Sequence, residues 1–293
     1  MCPGFLLLIA AVLTLAAPPP DISKSEAPGV TVTQNVSYGS AGGTDLQLDV
    51  YQPPVAEAGP HPAVVLIHGG GWTSFDKSTM HGMGDFLARH GFVAFAVDYR
   101  LFSDGRNRWP AQLDDVQRAV RWVRANGAKY GIHTDRMGAF GHSAGGQLAA
   151  LLGMLDTRDN SDPALAKYSS RVQAVADASG PTDFTAERNP DGKAFLAHFL
   201  GASYDEDPAR WREASPAFDV HKGDAPFLIV HGTADEMVPI SQSEELYQKL
   251  EAAGVPVSFV KLNAGHIFQK PEARRLLAVD TLGFFESYLV DKQ

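Results

Sequence analysis

The sequence predicts an α/β fold: a mostly parallel, doubly wound, eight-stranded sheet that opens on an antiparallel hairpin. Three observations point to it. Residues 31–38 and 46–51 alternate apolar and polar side chains around Gly42-Gly43, the pattern of an edge hairpin. Residues 63–67, 92–97, 137–140, 172–178 and 227–230 are almost continuously apolar. Strands buried on both faces read this way, and they belong to parallel sheets covered by helices. Helical patterns fill the gaps, and strand–helix repetition places functional sites at the carboxyl ends of the strands.

The elements follow in order. Residues 5–15 are apolar apart from Thr14 and lead into Ala16, Ala17 and three prolines. Residues 1–17 therefore read as a secretory signal peptide, too short to span a bilayer. Residues 18–29, rich in Pro, Ser and charge, are expected to form a flexible leader. The remainder, 30–293, fits one large α/β domain. The single cysteine, Cys2, falls in the signal, so the mature chain is expected to lack disulfides. Export without disulfides suits a bacterial periplasm or medium, so the expected location is secreted or periplasmic. Asn35-Val36-Ser37 fits a glycosylation triplet that matters only in a eukaryotic secretory path. The net charge of −9 argues against nucleic acid or an anionic membrane face as partner. No later apolar run is long enough for a membrane helix.

The clearest helix is expected to begin at Pro110, a residue suited to a first helical position. Leu113, Val116, Val120 and Val123 recur on one face, with Asp114, Asp115, Arg118 and Arg121 on the other. Residues 80–90, 144–155, 243–253 and 281–289 are the other main helical candidates, and 257–262 adds a strand near the sheet edge. Residues 183–221 break the rhythm. Their Phe184, Phe195, His198, Phe199 and Trp211 suit equally a small lid or acyl-pocket wall over the site, or a satellite core.

Gly141-His142-Ser143-Ala144-Gly145 matches G-x-S-x-G, the nucleophile elbow, with an apolar strand before it and helix formers after it. The turn is so sharp that only small residues fit two positions either side of the serine. A serine hydroxyl needs a base, and the base needs a carboxylate to orient it. His266, after the last strand, and Asp235, after the strand at 227–230, supply these in the chain order Ser, Asp, His. His68, His142 and His231 are the competing histidines; Glu236 and Asp183 are the competing carboxylates.

His68-Gly69-Gly70-Gly71-Trp72 follows the strand at 63–67. Glycine-rich backbone of this kind can aim N–H groups at a tetrahedral oxyanion, each lowering the barrier by about 3 kcal/mol. The expected donors are Gly70, Gly71 and Ala144. A phosphate-cradling loop fits less well, since no Lys-Ser/Thr follows. Trp72 and Phe268, each beside a motif, are the candidate substrate-binding residues. No metal site is expected: H-E-x-x-H and cysteine clusters are lacking. Asp156, Asp159, Asn160 and Asp162 are spaced like calcium ligands without the turn glycine and closing glutamate.

Together HGGGW, GHSAGG, HGTAD and AGH, with Asp98-Tyr99-Arg100-Leu101 after the second core strand, resemble the α/β-hydrolase esterases from about Val30 onward. The chain looks closest to exported bacterial feruloyl and acetyl-xylan esterases, and more loosely similar to hormone-sensitive-lipase-like carboxylesterases. The latter carry a helical N-terminal cap where this chain reads as a hairpin, which favours the former and a more open site. The resemblance implies a serine carboxylesterase that needs no cofactor and acts on small-molecule or polysaccharide-linked esters. A prolyl-oligopeptidase-like peptidase is the alternative, disfavoured by an N-terminal stretch too short for a propeller. A non-enzymatic binding protein on the same fold is a third.

Overall fold

The computed structural model describes residues 29–54, 59–186 and 190–291. The expected signal segment and all but the last leader residue lie outside them. An eight-stranded sheet runs through the described residues in the order β1-β2-β4-β3-β5-β6-β7-β8. β1 (Thr31–Ala41) and β2 (Thr44–Gln52) form the expected antiparallel hairpin. The next strands are β3 (His61–Ile67), β4 (Val93–Val97), β5 (Ile132–His142), β6 (Ala174–Ala178), β7 (Phe227–Gly232) and β8 (Val257–Leu262). β4 pairs antiparallel with β2, and every pairing from β4 through β8 is parallel.

The connections hold α1 (His81–Arg89), α2 (Ala111–Ala125), α3 (Gly127–Tyr130), α4 (Ala144–Met154), α5 (Pro190–Leu200), α6 (Pro208–Glu213), α7 (Ser241–Ala252) and α8 (Pro271–Leu289). In β3 successive side chains part company: Val65 and Ile67 join one apolar cluster with α2, α4 and α7, while Val64 and Leu66 join another with α1 and α8. Each such fully buried aliphatic side chain stabilises the fold by about 1.5–3 kcal/mol. Burial on both faces is why these strands carry no alternation.

Several details differ from the sequence reading, among them β5, which starts at Ile132 rather than 137. Helix α2 starts at Ala111 with Pro110 as its N-cap. Part of its polar face is buried: Asp115 lies against Arg100, with 2.7 Å between Nη2 and Oδ1. Arg121 is also buried and donates to the carbonyls of Asp159, Leu165 and Tyr168. Helix α8 begins ten residues before the expected 281, because Ala273 and Leu277 continue the buried stripe through Thr281 and Phe285. The aspartate-rich loop is likewise fastened by arginines, Arg121 on Asn160 and Arg118 on Asp162. Among the described residues no group of three or more His, Cys, Asp or Glu could hold a metal ion. Residues 190–221 form two short helices, with Phe199 and Trp211 buried in the first cluster and Phe195 half-buried against it. No helix among the described residues is long and apolar enough to cross a membrane.

Candidate active site

Ser143 sits between β5 and α4 with φ +57 and ψ −123, a backbone conformation that costs an L residue about 1–3 kcal/mol. The surroundings hold it there. Its N–H donates to the Ala178 carbonyl at 2.8 Å, and its own carbonyl accepts the amides of Gly146 and Gln147. A Cβ on Gly145 would lie 2.1 Å from the Ile67 carbonyl oxygen, so the end of β3 presses directly on the elbow.

His266 Nε2 stands 2.8 Å from Ser143 Oγ, and His266 Nδ1 stands 2.7 Å from Asp235 Oδ2. The structure thus brings together residues from the ends of β5, β7 and β8. Asp235 Oδ1 accepts the N–H groups of Met237 and Val238, each at 2.9 Å. Burial would raise the Asp235 pKa, but hydrogen bonds from His231 and His266 and the charge on His266 hold it well below the usual carboxylate range. The competing carboxylates point elsewhere. Glu236 is exposed, and Asp183 Oδ1 accepts the Thr185 amide and hydroxyl at 2.7 Å.

The competing histidines have structural partners. His142 donates from Nε2 to the His266 carbonyl at 2.8 Å and packs beside the His266 ring, 5.1 Å between centroids. Burial, then the neighbouring His266 charge, pushes the His142 pKa down to about 4. His142 therefore stays neutral and braces the base. His68 donates from Nδ1 to the Gly69 carbonyl at 2.7 Å and stacks on Tyr99 at 4.2 Å. His231 is fully buried beside Asp235.

The glycine loop lies against the elbow: a Cβ on Gly69 would come within 2.9 Å of the His142 carbonyl oxygen. Gly70 has φ +108, and its carbonyl is fixed by the amides and hydroxyls of Thr73 and Ser74. Gly71 has φ +58, with open space where a Cβ would sit. Among the described residues, no protein acceptor takes the amide hydrogens of Gly70 or Gly71. Trp72 and Phe268 are only 5% and 2% exposed, so each offers the site no more than an edge. Trp72 stacks on Phe199 at 4.8 Å and donates its indole N–H to Gln147 at 3.1 Å.

Sequence reasoning missed several supports. Tyr99 donates its hydroxyl to the His68 carbonyl at 3.0 Å, and Gln147 ties Trp72 to the Ala214 carbonyl. Ser243, 2.7 Å from His231 Nδ1, carries no motif that could have marked it.

Comparison with known proteins places the chain among esterases. The BD-FAE family model matches residues 48–250. The esterase LipQ of Mycobacterium tuberculosis is 34% identical over 80% of this chain and 57% of its own length. The chain spans a little over half the length of that relative. A truncated carbohydrate esterase from gut microbiota superposes with a TM-score of 0.77 at 29% identity, covering 90% of this chain and 98% of the other. The butyrate-bound thermophilic esterase Est2 of Thermogutta terrifontis gives a TM-score of 0.77 at 26% identity, over 92% and 98% of the two chains.

Proposed function

The chain belongs to the BD-FAE family of α/β-hydrolase esterases, and we propose that it is a serine carboxylic-ester hydrolase acting through an acyl-enzyme on small acyl or phenolic esters. The observation that carries this is the unbroken Ser143–His266–Asp235 chain, at 2.8 and 2.7 Å. His266 takes the Ser143 proton as the hydroxyl attacks the ester carbonyl, and Asp235 holds the ring and stabilises the imidazolium. The N–H groups of Gly70, Gly71 and Ala144 receive the oxyanion. His266 then protonates the departing alcohol, activates water, and deacylation restores the serine. The exposed edges of Trp72 and Phe268 flank the substrate.

The small-acyl preference is supported by Est2, which has been described with butyrate and with propionate bound, and phosphorylated by paraoxon. Polysaccharide-linked esters are supported by the likeness to the gut carbohydrate esterase. Export rests on the apolar run at 5–15, and N-terminal sequencing of protein recovered from the periplasm or medium tests it. The activity is tested by initial rates on acetyl, butyryl, octanoyl and feruloyl esters and one aminoacyl anilide, each against Ser143→Ala. Ester turnover that vanishes in the variant is expected. Anilide cleavage without ester cleavage would replace the esterase with a peptidase.

A further inference from the structure

Asp235 Oδ2 lies 2.7 Å from His266 Nδ1 and also 3.2 Å from Nε2 of a second histidine, His231. We propose that His231 is a positioning residue that fixes the Asp235 carboxylate and, through it, tunes how strongly the base His266 holds its proton. This rests on the esterase mechanism above and deepens it.

The hydrogen on His231 follows from its partners. Nε2 faces two acceptors, the Val238 carbonyl at 2.9 Å and Asp235 Oδ2 at 3.2 Å, so it carries the hydrogen and donates. Nδ1 is 2.7 Å from Ser243 Oγ, whose hydroxyl donates to it. His231 and Ser243 are both fully buried, so water offers neither an alternative partner. A hydrogen-bonded chain therefore runs from Ser243 on α7 through His231 to Asp235, then through His266 to Ser143. Its midpoint is held on both oxygens. Oδ2 accepts His266 at 2.7 Å and takes the longer, 3.2 Å arm of the single His231 Nε2 hydrogen, whose shorter bond is to the Val238 carbonyl; Oδ1 accepts the Met237 and Val238 amides. A carboxylate fixed in this way is kept from rotating away from His266. Each extra donor also draws off negative charge that would otherwise stabilise the imidazolium. Two other titratable groups face this pair: His142, beside the His266 ring, and Asp177 on neighbouring β6, whose charge reaches His231. None of the substitutions below alters them.

The test follows kcat/KM on p-nitrophenyl acetate against pH, with the low-field proton resonance of His266 Nδ1–H as a spectroscopic check. His231→Leu removes the donor. It is expected to lower the plateau roughly ten- to a hundredfold and move the acid limb upward by about half a pH unit or more. In His231→Gln the amide Nε2 can replace the donating nitrogen, so the limb should return to its wild-type position with most of the rate. Ser243→Ala frees the ring to change tautomer, and should shift the limb and the resonance in the direction of His231→Leu by a smaller amount. If His231→Leu does not fold, His231→Asn, polar but too short to reach Asp235, takes its place; if neither folds, Ser243→Ala decides. An acid limb and resonance that stay at wild type while the rate falls would reduce His231 to a packing residue and overturn the proposal. Ser143→Ala measured in parallel keeps the two questions apart. If it retains full activity, the esterase mechanism fails; if it is inactive and the limb does not move, only the role of His231 fails.

Discussion

Gly141 and Gly145 approach so closely across the elbow that a Cβ on Gly141 would lie 1.9 Å from the Gly145 carbonyl oxygen. No side-chain rotation relieves a backbone contact of that kind. Gly141→Ala is therefore expected to open the turn, cost about 3 kcal/mol or more of stability, and abolish ester turnover. Urea unfolding with p-nitrophenyl acetate assays checks this. A variant of wild-type stability and rate would mean the elbow deforms without consequence.

Asp235→Asn should keep the fold and lose activity on the order of 10³–10⁴-fold, less than Ser143→Ala, because the amide favours the wrong tautomer of His266. It should also change stability with pH. The folded-state pKa of Asp235 is depressed, so its contribution is full above the unfolded value of about 3.9 and is lost as pH falls through the folded value. Denaturation profiles of wild type and variant should converge at low pH. Wild-type activity in the variant would move the acid's role to another carboxylate.

Much of this was legible in the sequence because the decisive signals are local. Ser143 and Asp235 follow buried strands, His266 follows the edge strand β8, and the Gly141–Gly145 contact across the elbow spans only four residues. What stayed hidden depends on long-range partners. Asp115 and Arg121 fall on the polar face of α2, and the spacing along the helix cannot reveal Arg100, or the carbonyls of residues 159–168, that cover them. His231 and Ser243 are twelve residues apart on different elements, and only the docking of α7 beside β7 brings them to 2.7 Å. Trp72 was placed beside the right motif, but the burial of its ring comes from Phe184 and Phe199, more than a hundred residues later.

Asp177 is a buried carboxylate beneath the elbow. Its Oδ1 accepts the Gly180 amide at 2.9 Å, while Oδ2 has no partner among the described residues. Burial pushes its pKa up to about 6 despite that hydrogen bond. The folded protein therefore keeps this proton to higher pH than the unfolded chain. Stability from this group is full below the unfolded value of about 3.9 and declines as pH rises to about 6, by a total of roughly 3 kcal/mol. Asp177→Asn should remove that decline and be the more stable protein at pH 8. Parallel urea titrations at pH 4.5 and pH 8 check it; an equal pH dependence in the two proteins would show that Asp177 titrates normally.

Phe75 adopts φ +68 while half-exposed, and its ring stands where a Cβ on Gly70 would meet it at 2.8 Å. A β-substituted residue in the left-handed region costs about 1–2 kcal/mol that glycine does not incur. The ring recovers only part of this, because half of its surface stays in water. Phe75→Gly is therefore expected to leave the fold intact and raise the urea midpoint, with a net gain of about 0.5–1 kcal/mol after the added chain entropy of glycine. The same substitution removes a ring packed against Gly70, itself a proposed oxyanion donor, and so loosens that donor's placement; kcat should fall several-fold with little change in KM. A variant that is less stable than wild type would mean that the contact of the ring with Gly70 outweighs the backbone strain.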